Sequence, residues 1–279
     1  MRSDQVSGAK QGRAAFLRWA GGKRQLLPHL LDLIPRGAWT VYREPFLGAG
    51  SLFFALRPNE AVLSDANGHL IRCYEFVRDQ PAAIGRHLRI HVARNCETYY
   101  YRIRDTYNQS RFSSAQAARF IYLNKACFNG IFRVNRRGKF NVPYGRKEPP
   151  SIPTTELLAT VSEALKRASL KVMDFEDALD QAESGDFVYL DPPYPPLNGT
   201  AYFAHYTADR FSARDQEKLA AQFRELDKRG CLILMSNADT PLIRRLYRPY
   251  KSLSLQVTRF LTCKKKHRVG ELIITNYEC

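Results

Sequence analysis

The sequence lacks paired cysteines, long apolar runs and an apolar leader. Its six cysteines are scattered through 279 residues without a C-x-x-C pair, which argues against a zinc site or a disulfide framework and is typical of a reducing compartment. No apolar run is long enough to cross a membrane, and the polar stretch Met1–Arg13 has no signal-peptide core. We therefore expect a cytoplasmic protein with no membrane partner, no metal and a frayed N-terminus.

Acidic residues are also few relative to basic ones. The chain has 43 Lys and Arg against 27 Asp and Glu, a formal net charge of +16. This excess indicates a polyanionic partner, most often a nucleic acid, although charge also serves solubility. The predicted organisation is one α/β domain in two parts, residues 1–68 and 154–279, separated by a helical insertion at residues 69–153.

Four residues, Asp191-Pro192-Pro193-Tyr194, follow the apolar run Phe187–Leu190, which is typical of a buried strand. Because prolines cannot continue a central strand, the chain must leave the sheet there in a stiff turn. An acceptor and an aromatic ring are thereby held at the carboxyl end of a strand, where open α/β sheets bind ligands. The pattern predicts a site for a planar substrate with an amino group. A capping Asp beside a packing Tyr is the alternative interpretation.

A second motif, Phe46-Leu47-Gly48-Ala49-Gly50, joins a short strand to a helix. Its glycines would let a ligand approach the backbone closely. The next strand, Ala61–Ser64, ends at Asp65, whose carboxylate would suit the hydroxyls of a ribose. Asp174-Phe175 follow a further strand and would suit either the edge of an adenosine pocket or the cap of a helix. Gly21-Gly22-Lys23 lacks the spacing of a phosphate-binding loop, which excludes a nucleotide triphosphatase.

Residues 128–146 alternate aromatic and basic side chains around Arg136-Arg137-Gly138, which has the composition of a hairpin turn. A β-hairpin fits a major groove, and an arginine can bond a guanine with two hydrogen bonds. We expect DNA contact here rather than a merely solvated basic hairpin. The basic residues of this segment are Arg133, Arg136, Arg137, Lys139 and Arg146.

Three further segments give weaker expectations. His87 and His91 are one helical turn apart, but no carboxylate or cysteine motif supports a metal pair, so solvated or DNA-facing histidines are expected. Residues 195–211 are predicted to form a lid or substrate loop. The connection Thr262–Gly270, between two closing strands, is predicted to contact phosphates through the basic residues 264–268.

These motifs together resemble the Dam and Dpn-type DNA adenine-N6 methyltransferases over roughly Phe16–Tyr277. The resemblance implies an α/β fold, a Rossmann-like S-adenosylmethionine-dependent methyltransferase sheet with an inserted helical target-recognition domain containing a β-hairpin. It implies methyl transfer from S-adenosyl-L-methionine to N6 of an adenine flipped out of duplex DNA, in GATC, alone or within a restriction-modification system. A monomer associated with the nucleoid is expected.

The resemblance also assigns site residues. The cofactor site would contain Trp19, Lys23, Phe46, Gly48, Gly50, Asp65, Asp174, Phe175 and Asp191. Catalysis would depend on Asp191, Pro192, Pro193 and Tyr194. The DNA contacts would be Arg18, Phe128, Asn129, Arg133 and Pro143, together with Arg136, Arg137 and Lys139 of the hairpin. Phe128 and Asn129 would fill the gap left by the flipped base, with Arg133 and Pro143 at base edges.

Two other functions stay open at this stage. One is a DNA-binding regulator without catalysis on a methylase scaffold, and methyl incorporation into DNA would distinguish it. The other is an amino-methylase acting on RNA or on a protein glutamine, which can use a related Asn-Pro-Pro-Tyr motif. The acidic motif and the glycine turn favour catalysis, while the basic hairpin favours DNA.

Overall fold

The computed structural model describes residues 15–19, 21–23, 25–35, 37, 39–146, 149–194, 211–262 and 265–278, and for 258–262 and 265–269 only the backbone. The described strands are β1 Tyr42–Glu44, β2 Ala61–Asp65, β3 Ala168–Val172, β4 Phe187–Leu190, β5 Leu232–Ala238, β6 Lys251–Thr262 and β7 Lys265–Thr275. The described helices are α1 Leu27–Asp32, α2 Ser51–Leu56, α3 Gly68–Asp79, α4 Pro81–Ala93, α5 Glu97–Tyr107, α6 Ser114–Ala126, the 3₁₀ turn Phe128–Gly130, α7 Thr155–Leu165, α8 Phe175–Asp180, α9 Ala213–Arg229 and α10 Pro241–Leu246.

The strands form one sheet in the order β3-β2-β1-β4-β5-β7-β6. Strands β1 to β5 pair in parallel, whereas β7 is antiparallel to both β5 and β6. All residues of β4 are buried, as expected for the apolar run of a central parallel strand. The mixed α/β architecture with a mostly parallel sheet confirms the predicted Rossmann-like fold class.

The chain forms two compact units that alternate along the sequence. The first contains the described residues up to Leu27, then Gly48–Arg57 and His69–Arg167; the second contains Pro28–Leu47, Pro58–Gly68 and the chain from Ala168. The whole sheet lies in the second unit. The functional domain boundaries given above stay a prediction.

The core of the second unit lies where α8, α9 and α10 pack with the sheet. Its apolar side chains include Val188 and Leu190 of β4, Ile233 of β5 and Phe223 of α9. Helix α9 begins with a capping box between Ser212 and Asp215 and ends at Gly230 in the left-handed conformation. The sequence predicts both ends, because Ser212-Ala213-Arg214-Asp215 has the pattern of a capping box and Gly230 that of a helix stop, and the structure confirms them.

The first unit is mainly helical. Helix α4 packs against α6 and α7, and α5 packs against α6. The sequence pattern predicts helices at 70–78, 82–94, 98–107 and 115–125, and α3, α4, α5 and α6 match them with ends within two residues. Local patterns suffice for α3, α4 and α5, which bury an apolar face, whereas α6 is buried over most of its length.

Three predicted elements differ from the structure. The sequence pattern predicts a helix around Lys23–Leu33, but the structure has only the short α1 there. The pattern also predicts a helix over Thr155–Ala168, which in the structure ends at Leu165, before β3 begins at Ala168. The connection expected over Thr262–Gly270 is wrong, since β6 and β7 pair along that stretch. Strand ends depend on the partner strand, which the local sequence does not show. Residues 195–210 and Lys264 lie outside the described residues.

The environment of His91 contradicts the expectation of a solvated or DNA-facing side chain. His91 is buried, stacks on Tyr122 with ring centroids 5.0 Å apart, and its Nδ1 lies 2.8 Å from the Tyr99 hydroxyl. Burial, together with the nearby charges of Arg119 and His87, lowers the pKa of His91 to about 4. Across the described part of the chain, no group of three His, Cys, Asp or Glu side chains could hold a metal.

We expect the free energy of unfolding to fall as the pH is lowered from 7 to 5. The pKa of His91 drops from its ordinary 6.5 to about 4 on folding, so between these values the unfolded chain binds the proton and is favoured. Linkage predicts a loss of about 2 kcal/mol by pH 5. Urea titrations at both pH values should show a smaller pH dependence for His91→Gln than for the wild type. The same pH dependence in both proteins would contradict this account.

Candidate active site

Within the second unit, the carboxyl edge of the parallel strands holds most of the predicted polar site residues. Phe46 follows β1, Asp65 ends β2, Asp174 follows β3 and Asp191 follows β4. The strand order turns back between β1 and β4, and open α/β sheets bind ligands at such a switch point. The sheet therefore places these residues, which are far apart in sequence, along one edge.

The turn Asp191–Tyr194 leaves the buried strand β4 at this edge and is held by side chains of the same unit. Ser236 Oγ donates to Asp191 Oδ1 at 3.1 Å, and Gln216 Nε2 donates to the Pro193 carbonyl at 3.2 Å. The Tyr194 hydroxyl donates to Oε2 of the buried Glu271 at 3.1 Å. The turn is therefore bonded through a carboxylate, a carbonyl and a hydroxyl.

An aromatic cluster accompanies the residues after β1 and β3. The rings of Phe46 and Phe175 stack with centroids 5.5 Å apart, and Phe211 lies 5.5 Å from Phe175. Asp174 accepts from the Glu176 backbone and caps α8, so the capping interpretation is confirmed, while its cofactor role stays a prediction. Asp65 Oδ1 accepts from the Asn67 backbone at 2.9 Å, which shapes the turn after β2.

In the first unit, the glycine turn packs against Trp19. Gly48 and Gly50 have φ angles of 47° and 61°, which side chains disfavour. A Cβ at Gly48 would lie 2.9 Å from Cδ1 of Trp19, and the Gly48 carbonyl accepts from the Tyr74 hydroxyl. Lys23 is buried, with Nζ donating to the Gly21 carbonyl at 2.7 Å. The structure thus brings Trp19 and the glycine turn together.

The predicted DNA contacts also lie in the first unit, where Asn124 of α6 joins two of them. Its amide accepts from the Arg18 backbone N–H at 2.8 Å and donates to the Arg18 carbonyl at 2.7 Å and to that of Gly130 at 3.4 Å. Phe128 is 49% exposed, and Asn129 is exposed with a left-handed φ of 56°. Arg18 and the turn Phe128–Gly130 therefore form one connected surface.

The hairpin around Arg136-Arg137-Gly138 is present but is not a continuous β-ladder. One isolated bridge joins Val134 to Phe140, and the Asn135 backbone N–H donates to the Lys139 carbonyl at 2.9 Å. Arg133 is exposed, with Nε donating to Asn141 Oδ1 at 2.9 Å. Arg136, Arg137, Lys139 and Pro143 are exposed as well.

Several residues that build these sites were not anticipated. In the second unit they are Ser236, Gln216 and Glu271. In the first unit Asn124 and Phe132 are added, the latter stacked on Trp19 with centroids 5.9 Å apart. Only Ser236 and Asn237 could have been found from the sequence, because a polar pair follows the apolar run Leu232–Met235.

Comparison with known proteins decides the family. A family model described as D12 class N6 adenine-specific DNA methyltransferase matches residues 19–260. The chain belongs to this family. The match spans most of the chain and includes both the glycine turn and the Asp191–Tyr194 turn. The protein is thus a methyltransferase enzyme, which removes the hypothesis of a regulator without catalysis.

Relatives of this D12 class enzyme are similar over nearly their whole length. The type II methyltransferase M1.LlaDCHI of Lactococcus lactis subsp. cremoris is 41% identical, covering 94% of this chain and 95% of its own. The type II methyltransferase M.MjaIII of Methanocaldococcus jannaschii is 36% identical, covering 94% and 98%. A DNA adenine methylase of Escherichia coli is 36% identical, covering 93% of this chain and 94% of its own.

In the described part of this enzyme, no helix is long and apolar enough to span a membrane.

Proposed function

We propose that this enzyme transfers a methyl group from S-adenosyl-L-methionine to N6 of an adenine rotated out of duplex DNA, within GATC. The observation that supports the chemistry most directly is the Asp191–Tyr194 turn at the switch point of the sheet. It presents a carboxylate and an aromatic ring from one stiff segment, and both are held by side-chain hydrogen bonds. Such an arrangement suits a flat base with an exocyclic amine.

The residues present fit the cofactor. A Cβ at Gly48 would lie 2.9 Å from Cδ1 of Trp19, so glycine lets this backbone pack closely against the indole that would form one wall of the cofactor site. In the second unit, an aromatic cluster beside acceptor carboxylates suits an adenosine. We propose Trp19, Lys23, Gly48 and Gly50 as cofactor residues of the first unit. Those of the second unit are Phe46, Asp65, Asp174, Phe175 and Asp191.

In the proposed reaction, the protein makes a poor nucleophile reactive by orientation. The lone pair of adenine N6 is delocalised into the ring. Asp191 accepts from one N6–H and the Pro192 carbonyl from the other, which draws the nitrogen towards a tetrahedral form, while Tyr194 stacks on the base. S-adenosyl-L-methionine would supply a methyl group on a sulfonium sulfur, which would leave as a neutral thioether while N6 releases one proton to solvent. Positioning would therefore account for most of what the protein adds.

Extrusion of the base costs roughly a few kcal/mol and needs a side chain to occupy the gap. The exposure of Phe128 and Asn129 supports their assignment to that gap. We propose that Arg18, Arg133 and Pro143 contact base edges. Arg136, Arg137 and Lys139 of the hairpin would contact DNA phosphates, consistent with the net charge of +16. The enzyme would then act in the cytoplasm on nucleoid DNA, as a monomer.

Methylation-sensitive sequencing of DNA from cells that express this chain tests the proposal. The expected result is N6-methyladenine in GATC and at few other sites. Methylation of adenine in another sequence would overturn the GATC assignment alone. In parallel, purified enzyme should methylate duplex DNA in preference to RNA or protein, with S-adenosyl-L-methionine as donor. Preference for RNA or protein would overturn the proposed acceptor.

Gly48→Ala should weaken cofactor binding by about tenfold. The left-handed φ alone costs an alanine about 1–2 kcal/mol, and its Cβ would press on Trp19. Calorimetric titration with S-adenosyl-L-methionine measures the change without DNA. Gly138→Ala is the matched control, because Gly138 has a φ of 70° and a Cβ added there would meet no atom within 4 Å. An equal loss in both variants would show that backbone strain, not the Trp19 contact, matters.

A further inference from the structure

Two chains of hydrogen bonds connect the carboxyl end of β5 to the Asp191–Tyr194 turn, one directly and one through Gln216 of α9. The first is a chain of hydroxyl groups. The Tyr189 hydroxyl lies 2.9 Å from Ser236 Oγ, which in turn lies 3.1 Å from Asp191 Oδ1. Ser236 has a single hydroxyl hydrogen, and the carboxylate can only accept while ionised. Ser236 therefore donates to Asp191, and Tyr189 donates to Ser236.

Burial fixes the direction of donation in these hydrogen bonds, from Tyr189 to Ser236 to Asp191. Burial, together with the nearby Asp191 charge, raises the pKa of Tyr189 well above its ordinary value, so its hydroxyl remains protonated. Ser236 is fully buried and Tyr189 nearly so. A hydrogen bond to one carboxylate oxygen restricts rotation of the whole group, and thus the orientation of both oxygens of Asp191.

The second contact is a chain of amides that starts at the neighbouring residue. The Ala238 backbone N–H donates to Asn237 Oδ1 at 2.8 Å, which turns Asn237 Nδ2 towards Gln216 Oε1 at 3.0 Å. Gln216 Nε2 is then left for the Pro193 carbonyl at 3.2 Å. Each amide has one possible orientation, because a backbone N–H only donates and a carbonyl only accepts. Asn237 and Gln216 are both fully buried.

We propose that Ser236 and Gln216 are positioning residues for methyl transfer: Ser236 orients the Asp191 carboxylate, and Gln216 fixes the backbone of the turn at Pro193. This inference rests on the proposed role of Asp191. Neither residue touches the reacting atoms. Because the amine of the base must meet Asp191 and the Pro192 carbonyl together, a small rotation of either acceptor slows the reaction far more than it weakens the binding of DNA or cofactor.

Steady-state and single-turnover kinetics of the full-length enzyme test the proposal. In Ser236→Ala and Gln216→Met we expect kcat to fall about 10- to 100-fold, as for a reacting group misplaced by about 1 Å. The KM for duplex DNA should stay at its wild-type value, and the Kd for S-adenosyl-L-methionine should change far less than kcat, although Asp191 is also a proposed cofactor residue. A merely structural role would instead lower the melting temperature and weaken binding together with kcat.

A matched pair of tyrosine variants provides the control. Tyr189→Phe removes the hydroxyl at the start of the first chain and should lower kcat several-fold. Tyr247→Phe removes an equally buried hydroxyl that has no hydrogen-bond partner in the described structure, and kcat should not change. If Ser236→Ala does not fold, the comparison of Tyr189→Phe with Tyr247→Phe tests the role of the hydroxyl chain in its place. Gln216→Met remains the test of the amide chain.

Wild-type kcat in folded Ser236→Ala and Gln216→Met would overturn the positioning role, as would equal effects of Tyr189→Phe and Tyr247→Phe. Failure of the proposed function is distinguishable, because the wild-type enzyme itself would then not methylate adenine N6 with S-adenosyl-L-methionine.

Discussion

Asp191→Ala should abolish measurable methyl transfer while the protein stays folded. Asp191 lies in an irregular turn after β4, so removing its side chain leaves the buried residues of that strand in place. The proposed acceptor for the N6–H is lost, and the loss of one such preorganised interaction lowers kcat about 10²- to 10³-fold. Transfer of a labelled methyl group into duplex DNA measures the effect, with calorimetry to verify cofactor binding.

Asp191→Asn refines this test. The asparagine keeps one acceptor oxygen but loses the negative charge, so its rate should lie between those of the wild type and Asp191→Ala. Asp177→Ala, which removes a carboxylate from the first turn of α8, is the control and should leave the rate unchanged. Full activity in Asp191→Ala would refute the assigned role of Asp191.

Arg133→Ala should relax the choice of sequence far more than it weakens cofactor binding. Its Nε bond to Asn141 holds the guanidinium in one orientation, and the side chain is exposed. An arginine that bonds a base edge with two hydrogen bonds contributes about 1–3 kcal/mol of discrimination. We therefore expect about a ten- to hundredfold loss of preference at one base pair of the site.

Methylation rates on duplexes that differ from GATC at single base pairs measure this preference. Arg136→Ala and Arg137→Ala serve as comparisons, because phosphate contacts should lower affinity by a similar factor on every sequence. Arg133 does not contact a base if Arg133→Ala weakens only cofactor binding, or if it lowers the methylation rate by the same factor on every DNA sequence.

The success of the sequence prediction varied with the range of the interactions involved. The strand Phe187–Leu190 and both ends of α9 follow from local patterns, and the structure confirms them. The basic hairpin is present, but two isolated bridges, Val134 to Phe140 and Cys127 to Tyr144, pair its sides instead of a continuous ladder, because its composition does not specify a register. The strands β6 and β7 are longer than predicted because each provides the other's hydrogen-bond partners.

Buried polar residues were also poorly predicted, because their surroundings come from residues distant in sequence. His91 was expected on the surface, since a helix pattern shows spacing but not the aromatic neighbours that cover a side chain. Ser236 and Gln216 are 20 residues apart in sequence, and no motif connects them. The pairing of β5 with β4 places Ser236 beside Asp191, and helix α9, bonded to Asn237 of β5, places Gln216 beside Pro193.

By itself, the sequence determined the turn at Asp191 that ends β4, the glycine turn at Gly48, the helical character of residues 69–126 and the basic hairpin. Each depends on neighbours in sequence: prolines that end a strand, glycines that allow a left-handed backbone, or a periodic apolar face. Only the tertiary structure decided which side chains hold those turns. The supporting hydrogen bonds join residues distant in sequence, and the pairing order of the sheet sets which of them meet.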